Sequence, residues 1–126
     1  MKTAIVFGAT SGIGKEISEL LLKDGYKLAI TGRRLEKLEA LKKQYPKQVY
    51  VAQNDIQKVD EVENVFNEII KEFTTIDLII QSSGVGHINP TLSWDKEEET
   101  IFTNVVGVTK LYDLSFNLFR NQGFGH

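Results

Sequence analysis

The stretch near the N-terminus best suited to chemistry is Gly8-Ala9-Thr10-Ser11-Gly12-Ile13-Gly14. Its glycines let the backbone turn tightly and leave no Cβ between it and a ligand. Before it, Thr3-Ala4-Ile5-Val6-Phe7 is a short apolar block with β-branched members, which reads as a buried strand. After it, residues 15–25 are amphipathic at helical period and close on Gly25, a helix C-cap signal. A glycine turn between strand and helix aims backbone N–H groups outward at the positive end of a helix dipole. That is a cradle for a phosphate. Close packing of helix on strand, with no ligand, is the plainer alternative.

The elements that must position this turn alternate along the chain. Residues 26–31 read as a second strand, and residues 35–43 as a helix with leucines at 35, 38 and 41 on one face, ending before Pro46. Residues 49–52 form a third strand. Residues 59–73 carry Val62, Phe66, Ile69, Ile70 and Phe73 at helical spacing, and residues 77–80 form a fourth strand. A loop with Gly84, Gly86, His87 and Pro90 follows. The last helix, residues 96–121, begins near Ser93, Asp95 and the Glu97-Glu98-Glu99 run, which suit a helix N-terminus. It is apolar on most sides: Ile101, Val105, Val108, Tyr112 and Phe119 form one stripe, with Phe102, Val106, Leu111, Leu114 and Leu118 elsewhere. Such a helix needs the sheet on one side and a partner on the other. The alternation predicts a single α/β domain over residues 1–126, with four parallel strands ordered 3-2-1-4 and helices on both faces.

Composition narrows the function. A net charge of −2, from 15 basic and 17 acidic residues, argues against nucleic acid or an anionic membrane as partner. The absence of cysteine removes disulfides, thiolate metal sites and thiol nucleophiles. Two histidines without clustering give no basis for a metal site. The N-terminus leads directly into a strand-sized block, and no apolar run reaches membrane-spanning length, so a cytoplasmic protein is expected.

Four motifs in order resemble those of the short-chain dehydrogenase/reductase family, over essentially the whole chain. Gly8 to Gly14 looks like its Gly-x-x-x-Gly-x-Gly cofactor turn, and Asn54-Asp55-Ile56 like its Asp-hydrophobic pair at the adenine. Gln81-Ser82-Ser83-Gly84 stands where the family has Asn-Asn-Ala-Gly. Trp94-Asp95 followed by Thr103-Asn104-Val105-Val106-Gly107 is similar to the stretch ending in a catalytic-site asparagine. The resemblance implies a Rossmann-like, doubly wound fold and a nicotinamide dinucleotide held by Gly8, Thr10, Ser11, Gly12, Ile13, Gly14, Asp55, Ile56, Ser83 and Gly84. It implies a catalytic role for Asn104, and hydride transfer to or from a small carbonyl or alcohol substrate. The family's serine and Tyr-x-x-x-Lys lie beyond the equivalent of Asn104. No tyrosine here has a lysine four residues on, so the chain is expected to be an N-terminal, cofactor-binding half without turnover.

Cofactor choice follows from Ile30-Thr31-Gly32-Arg33-Arg34, about 20 residues past the turn, where an acid would bind the ribose 2′-OH of NAD. No acid stands there. Arg33, with Arg34 second, is available for a 2′-phosphate, and a charge-assisted hydrogen bond contributes roughly 1.5–3 kcal/mol. NADP(H) is therefore expected before NAD(H). A solvated helix start is the alternative for the arginines, a turn cap for Asp55, a backbone bond at a kink for Asn104, and a plain loop residue for His87. The final helix, or an open edge on the fourth strand, is expected to join copies of the chain. A non-catalytic nucleotide-binding or self-associating module, or a domain for another nucleotide, remains the alternative function.

Overall fold

A computed structural model describes residues 1–10 and 12–126. β1 (Thr3–Phe7) leads to α1 (Gly12–Lys23), β2 (Lys27–Gly32), α2 (Leu35–Gln44), β3 (Val49–Gln53), α3 (Val59–Phe73) and β4 (Leu78–Gln81). The last helix runs through α4 (Trp94–Ile101), a π-helical segment (Phe102–Gly107) and α5 (Val108–Gln122). The strands are all parallel and ordered β3-β2-β1-β4, as the sequence pattern predicts. Phe7 is level with Thr31 of β2 on one side and Gln81 of β4 on the other. The chain therefore leaves β1 at a point where strand order reverses, with neighbours ending beside it on both flanks.

β1 is apolar throughout because both of its faces are covered. Ala4 and Val6 pack with Leu22, Leu38 and Leu41 of α1 and α2. Ile5 and Phe7 pack with Phe66 and Ile69 of α3 and Leu111 of α5. α1 ends in a Schellman motif: the Gly25 N–H donates to Leu22 O at 3.1 Å and the Tyr26 N–H to Leu21 O at 3.0 Å, with Gly25 at φ +87. α3 has the predicted bounds and buries Val62, Phe66, Ile69 and Phe73. In α2 only Leu38 and Leu41 are buried, while Leu35 opens the helix on the exposed side.

Two expectations change. Ser93 is the N-cap of α4, but its side chain makes no capping bond; Asn89 holds that turn instead, through the Ser93 N–H and carbonyl at 2.9 and 3.0 Å. The edge of β4 is not left open. Gly123, at φ +84, ends α5 and turns the chain back, so that the His126 N–H donates to Asp77 O at 3.0 Å and the Ile79 N–H to His126 O at 2.9 Å. Gln122 supports this return by bonding both backbone groups of Ile76. Along α5, Leu111 is buried and Val108, Leu114, Leu118 and Phe119 pack on the core. Val105, Tyr112 and Phe116 face outward.

Phe66 joins α3 to the sheet at 3% exposure. Phe66→Ala is expected to lower unfolding free energy by about 3–5 kcal/mol in urea titration, the usual cost of emptying a large aromatic site.

Candidate functional site

A groove of about 410 Å³ opens at the C-terminal ends of β1, β2 and β4, within the ~300–1,000 Å³ typical of ligand pockets. Its base is the glycine turn. Gly8 has φ +86, and a Cβ there would stand 2.6 Å from Ser83 N in the loop after β4. A Cβ on Gly14 would run into the Gly8 carbonyl oxygen. These glycines let β1, the start of α1 and the end of β4 meet at one place. The Gly8 and Ala9 N–H groups both donate to Thr31 O, at 3.1 and 3.0 Å. Those two amides are thus committed to β2, and donors for an anion must come from the first turn of α1.

Of the residues expected at the site, Gly8 and Thr10 line the groove at the turn, and Ser83 and Gly84 line it past β4. Arg33 and Arg34 line it past β2, and Asp55 and Ile56 past β3. Gly12 and Ile13 stand exposed at the start of α1, outside the lining, and Gly14 is buried beneath the turn. Ser11 lies outside the described residues. Asn104 does not line the groove. Its Nδ2 donates to Val85 O at 2.7 Å and its Oδ1 accepts the Val85 N–H at 2.9 Å, so it clamps the loop after β4 from within the π-helical segment. π-helical turns are often found at functional sites. The backbone bond expected of Asn104 at a kink is therefore present, but to another segment.

The polar groups around the groove are held in place. Arg34 Nη2 donates to Thr10 Oγ1 at 3.1 Å, linking the two lips next to the turn. Gln53 Nε2 donates to Arg33 O at 2.9 Å. Asp55 Oδ1 accepts the Gln57 N–H at 3.1 Å, so this residue both caps its turn and faces the groove. Four neighbours carry no site role in the sequence reading, which gives them only as motif, loop or helix-start residues. Asn54 and Thr103, 5% and 3% exposed, line the groove, and Asn54 Oδ1 and Thr103 Oγ1 have no hydrogen-bond partner among the described residues. Such a buried atom costs about 1–3 kcal/mol until something bonds it. Glu99 and His87 form the other pair: Glu99 Oε1 lies 3.5 Å from Arg33 Nη1, and Glu99 Oε2 lies 2.9 Å from His87 Nε2. The expectation that no acid stands near Arg33 therefore holds only along β2; α4 supplies one.

The groove thus combines a glycine turn at a strand-order reversal, arginines past β2 and an acid past β3. Residues 2–126 match the model of the short chain dehydrogenase family. This chain belongs to the short-chain dehydrogenase family. It is 32% identical over 133 residues to a farnesol dehydrogenase of Aedes aegypti, covering 99% of this chain and 54% of that one. It is 32% identical over 82 residues to the NADP-dependent 3-hydroxy acid dehydrogenase of Escherichia coli K12, covering 65% and 33%. The fold superposes on an alcohol dehydrogenase from Thermococcus sibiricus, solved with 5-hydroxy-NADP, at a TM-score of 0.87 and 28% identity, covering 98% and 55%. The chain thus spans about half the length of the farnesol dehydrogenase. Short-chain dehydrogenases are oxidoreductases that use NAD(P) and act on small molecules. Among the described residues no helix is long and apolar enough to cross a membrane.

Two features of the groove fit a group of this kind: its base excludes a Cβ, and two buried polar atoms at its wall have no hydrogen-bond partner among the described residues. Gly8→Ala should lower stability by about 2–4 kcal/mol in urea titration, from left-handed backbone strain and overlap with Ser83 together.

Proposed function

We propose that residues 1–126 are the cofactor-binding domain of an NADP(H)-dependent oxidoreductase acting on a small carbonyl or alcohol compound. The observation that carries this reading is the position of Arg33 and Arg34 on the groove just past β2, where the 2′-position of the adenine ribose is recognised in folds of this type. The NADP named for the Escherichia coli relative and the Thermococcus sibiricus neighbour supports it. Bound there, the nicotinamide supplies the hydride donor or acceptor.

The chain's own residues divide the work of holding it. Gly8, Gly12, Ile13 and Gly14 place the first turn of α1 against the pyrophosphate, with Thr10 beside it. Arg33, supported by Arg34, binds the 2′-phosphate. Asp55 and Ile56 receive the adenine, and Ser83 and Gly84 shape the passage toward the nicotinamide. Asn104 takes its catalytic-site place by holding the Val85 loop. None of the tyrosines is followed four residues on by lysine, so these residues bind cofactor and leave the proton transfer to groups they do not contain.

Val105, Tyr112 and Phe116, at 57%, 62% and 66% exposure, present aromatic and apolar area on the outer face of the last helix. A second copy of the chain covers this face in our reading. Phe116→Asp should then convert a dimer to a monomer in size-exclusion light scattering without loss of helical circular dichroism. A monomeric parent chain at tens of micromolar would exclude the dimer.

Calorimetric titration with NADPH, NADH and ATP tests the cofactor reading. Arg33→Ala should weaken NADPH by about tenfold to a hundredfold, the value of one charge-assisted contact, and leave NADH nearly unchanged. A preference for ATP, or no effect of Arg33→Ala, would exclude it.

A further inference from the structure

One carboxylate joins the two flanks of the groove's mouth. Glu99 Oε1 is 3.5 Å from Nη1 of Arg33, in the segment leaving β2, and Glu99 Oε2 is 2.9 Å from Nε2 of His87, in the loop leaving β4. β2 and β4 lie on opposite sides of β1, so this bridge crosses the end of the strand that carries the glycine turn. The side chains of Glu99 and His87 are both about 30% exposed, which leaves the carboxylate less screened than an open surface pair. Its neighbours on α4 are otherwise engaged: Glu97 accepts from Asn89 at 2.8 Å, and Lys96 donates to Ile88 O at 3.3 Å. Arg34 is tied to Thr10 at 3.1 Å.

The chemistry of this arrangement is a competition. Arg33 has one guanidinium, and Glu99 engages it in the free protein. A ribose 2′-phosphate carries about −1.5 to −2 charge at neutral pH and seeks the same donors. Binding there either draws Arg33 away from Glu99 or sets the phosphate beside a second anion that shares the guanidinium. His87 makes the exchange feasible, because Glu99 keeps a hydrogen-bond partner on Oε2 when Oε1 gives up Arg33. Dinucleotide folds that prefer NAD place an acid at the end of the second strand. Here an acid reaches the neighbourhood of that position from α4, 66 residues along the chain.

We propose that Glu99 sets the cofactor preference of this chain by competing with the 2′-phosphate for Arg33. This rests on the NADP(H) reading and adds to it a residue that moderates the preference Arg33 alone would give. Glu99 acts through Arg33, so it is a positioning residue whose effect must appear only with ligands that carry the 2′-phosphate.

The test is titration calorimetry of the full chain with adenosine 2′,5′-bisphosphate, 5′-AMP, NADPH and NADH, for the parent, Glu99→Gln, Arg33→Ala and the double variant. Glu99→Gln is isosteric, and an unchanged melting temperature verifies its fold. It should tighten both 2′-phosphorylated ligands by about two- to fivefold, the range of an exposed ion pair, and by less in high salt. Binding of 5′-AMP and NADH should change less than twofold, and the gain should shrink in the Arg33→Ala background. Unchanged affinity for adenosine 2′,5′-bisphosphate in Glu99→Gln, with Arg33→Ala still weakening it, overturns the role of Glu99 and leaves the NADP(H) reading intact. Weaker binding of all four ligands in Glu99→Gln would make Glu99 a strut and also overturns it. If Arg33→Ala changes nothing, the NADP(H) reading falls and the competition falls with it.

Discussion

The fold and the groove both depend on a backbone approach too close for a side chain. The turn after β1 lies against Ser82 and Ser83 after β4, while Gly14 lies against the carbonyl of Gly8. Two bonds from Gly8 and Ala9 to Thr31 then fasten the same turn to β2. A chain that meets its neighbours this closely can place a helix N-terminus directly over the end of the central strand. The anion-attracting end of α1 and the switch in strand order therefore coincide by construction.

Around that point the molecule separates support from recognition. Support comes from two apolar layers that leave β1 without an exposed residue between Ala4 and Phe7. Recognition comes from the segments that leave the strands at the other end, each tied down by a bond of its own: Arg34 to Thr10, the Arg33 carbonyl to Gln53, Asp55 to Gln57, and Val85 to Asn104. Loops mounted on a rigid sheet keep polar groups in place while leaving their chemistry free to vary.

Much of this was legible in the sequence, for local reasons. Strands covered on both faces read as apolar runs, α3 shows its helical period over its full length, and the motif residues follow directly on the ends of strands. What escaped depends on distant segments meeting. Nothing in the Glu97-Glu98-Glu99 run marks Glu99 as the residue that reaches Arg33, because that contact exists only once the fold brings α4 beside the segment leaving β2. Asn54 and Thr103 look like ordinary polar residues until burial removes their alternatives. The return of residues 124–126 along β4 depends on a left-handed turn at Gly123, and a glycine after a helix does not reveal its destination. The exposure of Tyr112 beside the burial of Leu111 was hidden by a stripe drawn at a uniform period.

That irregular period has a consequence of its own. A π-helical turn holds an extra residue, and one residue advances an α-helix by about 100°. The segment Phe102–Gly107 thus acts as a phase shifter between α4 and α5. It lets α4 direct Glu99 toward Arg33 while α5 directs Leu111 into the core. Deleting a single residue there would rotate one helix against the other by about 100°, little more than a quarter turn, and so shift which residues meet the sheet. The helix is geared at that segment, and Asn104 sits within the gear.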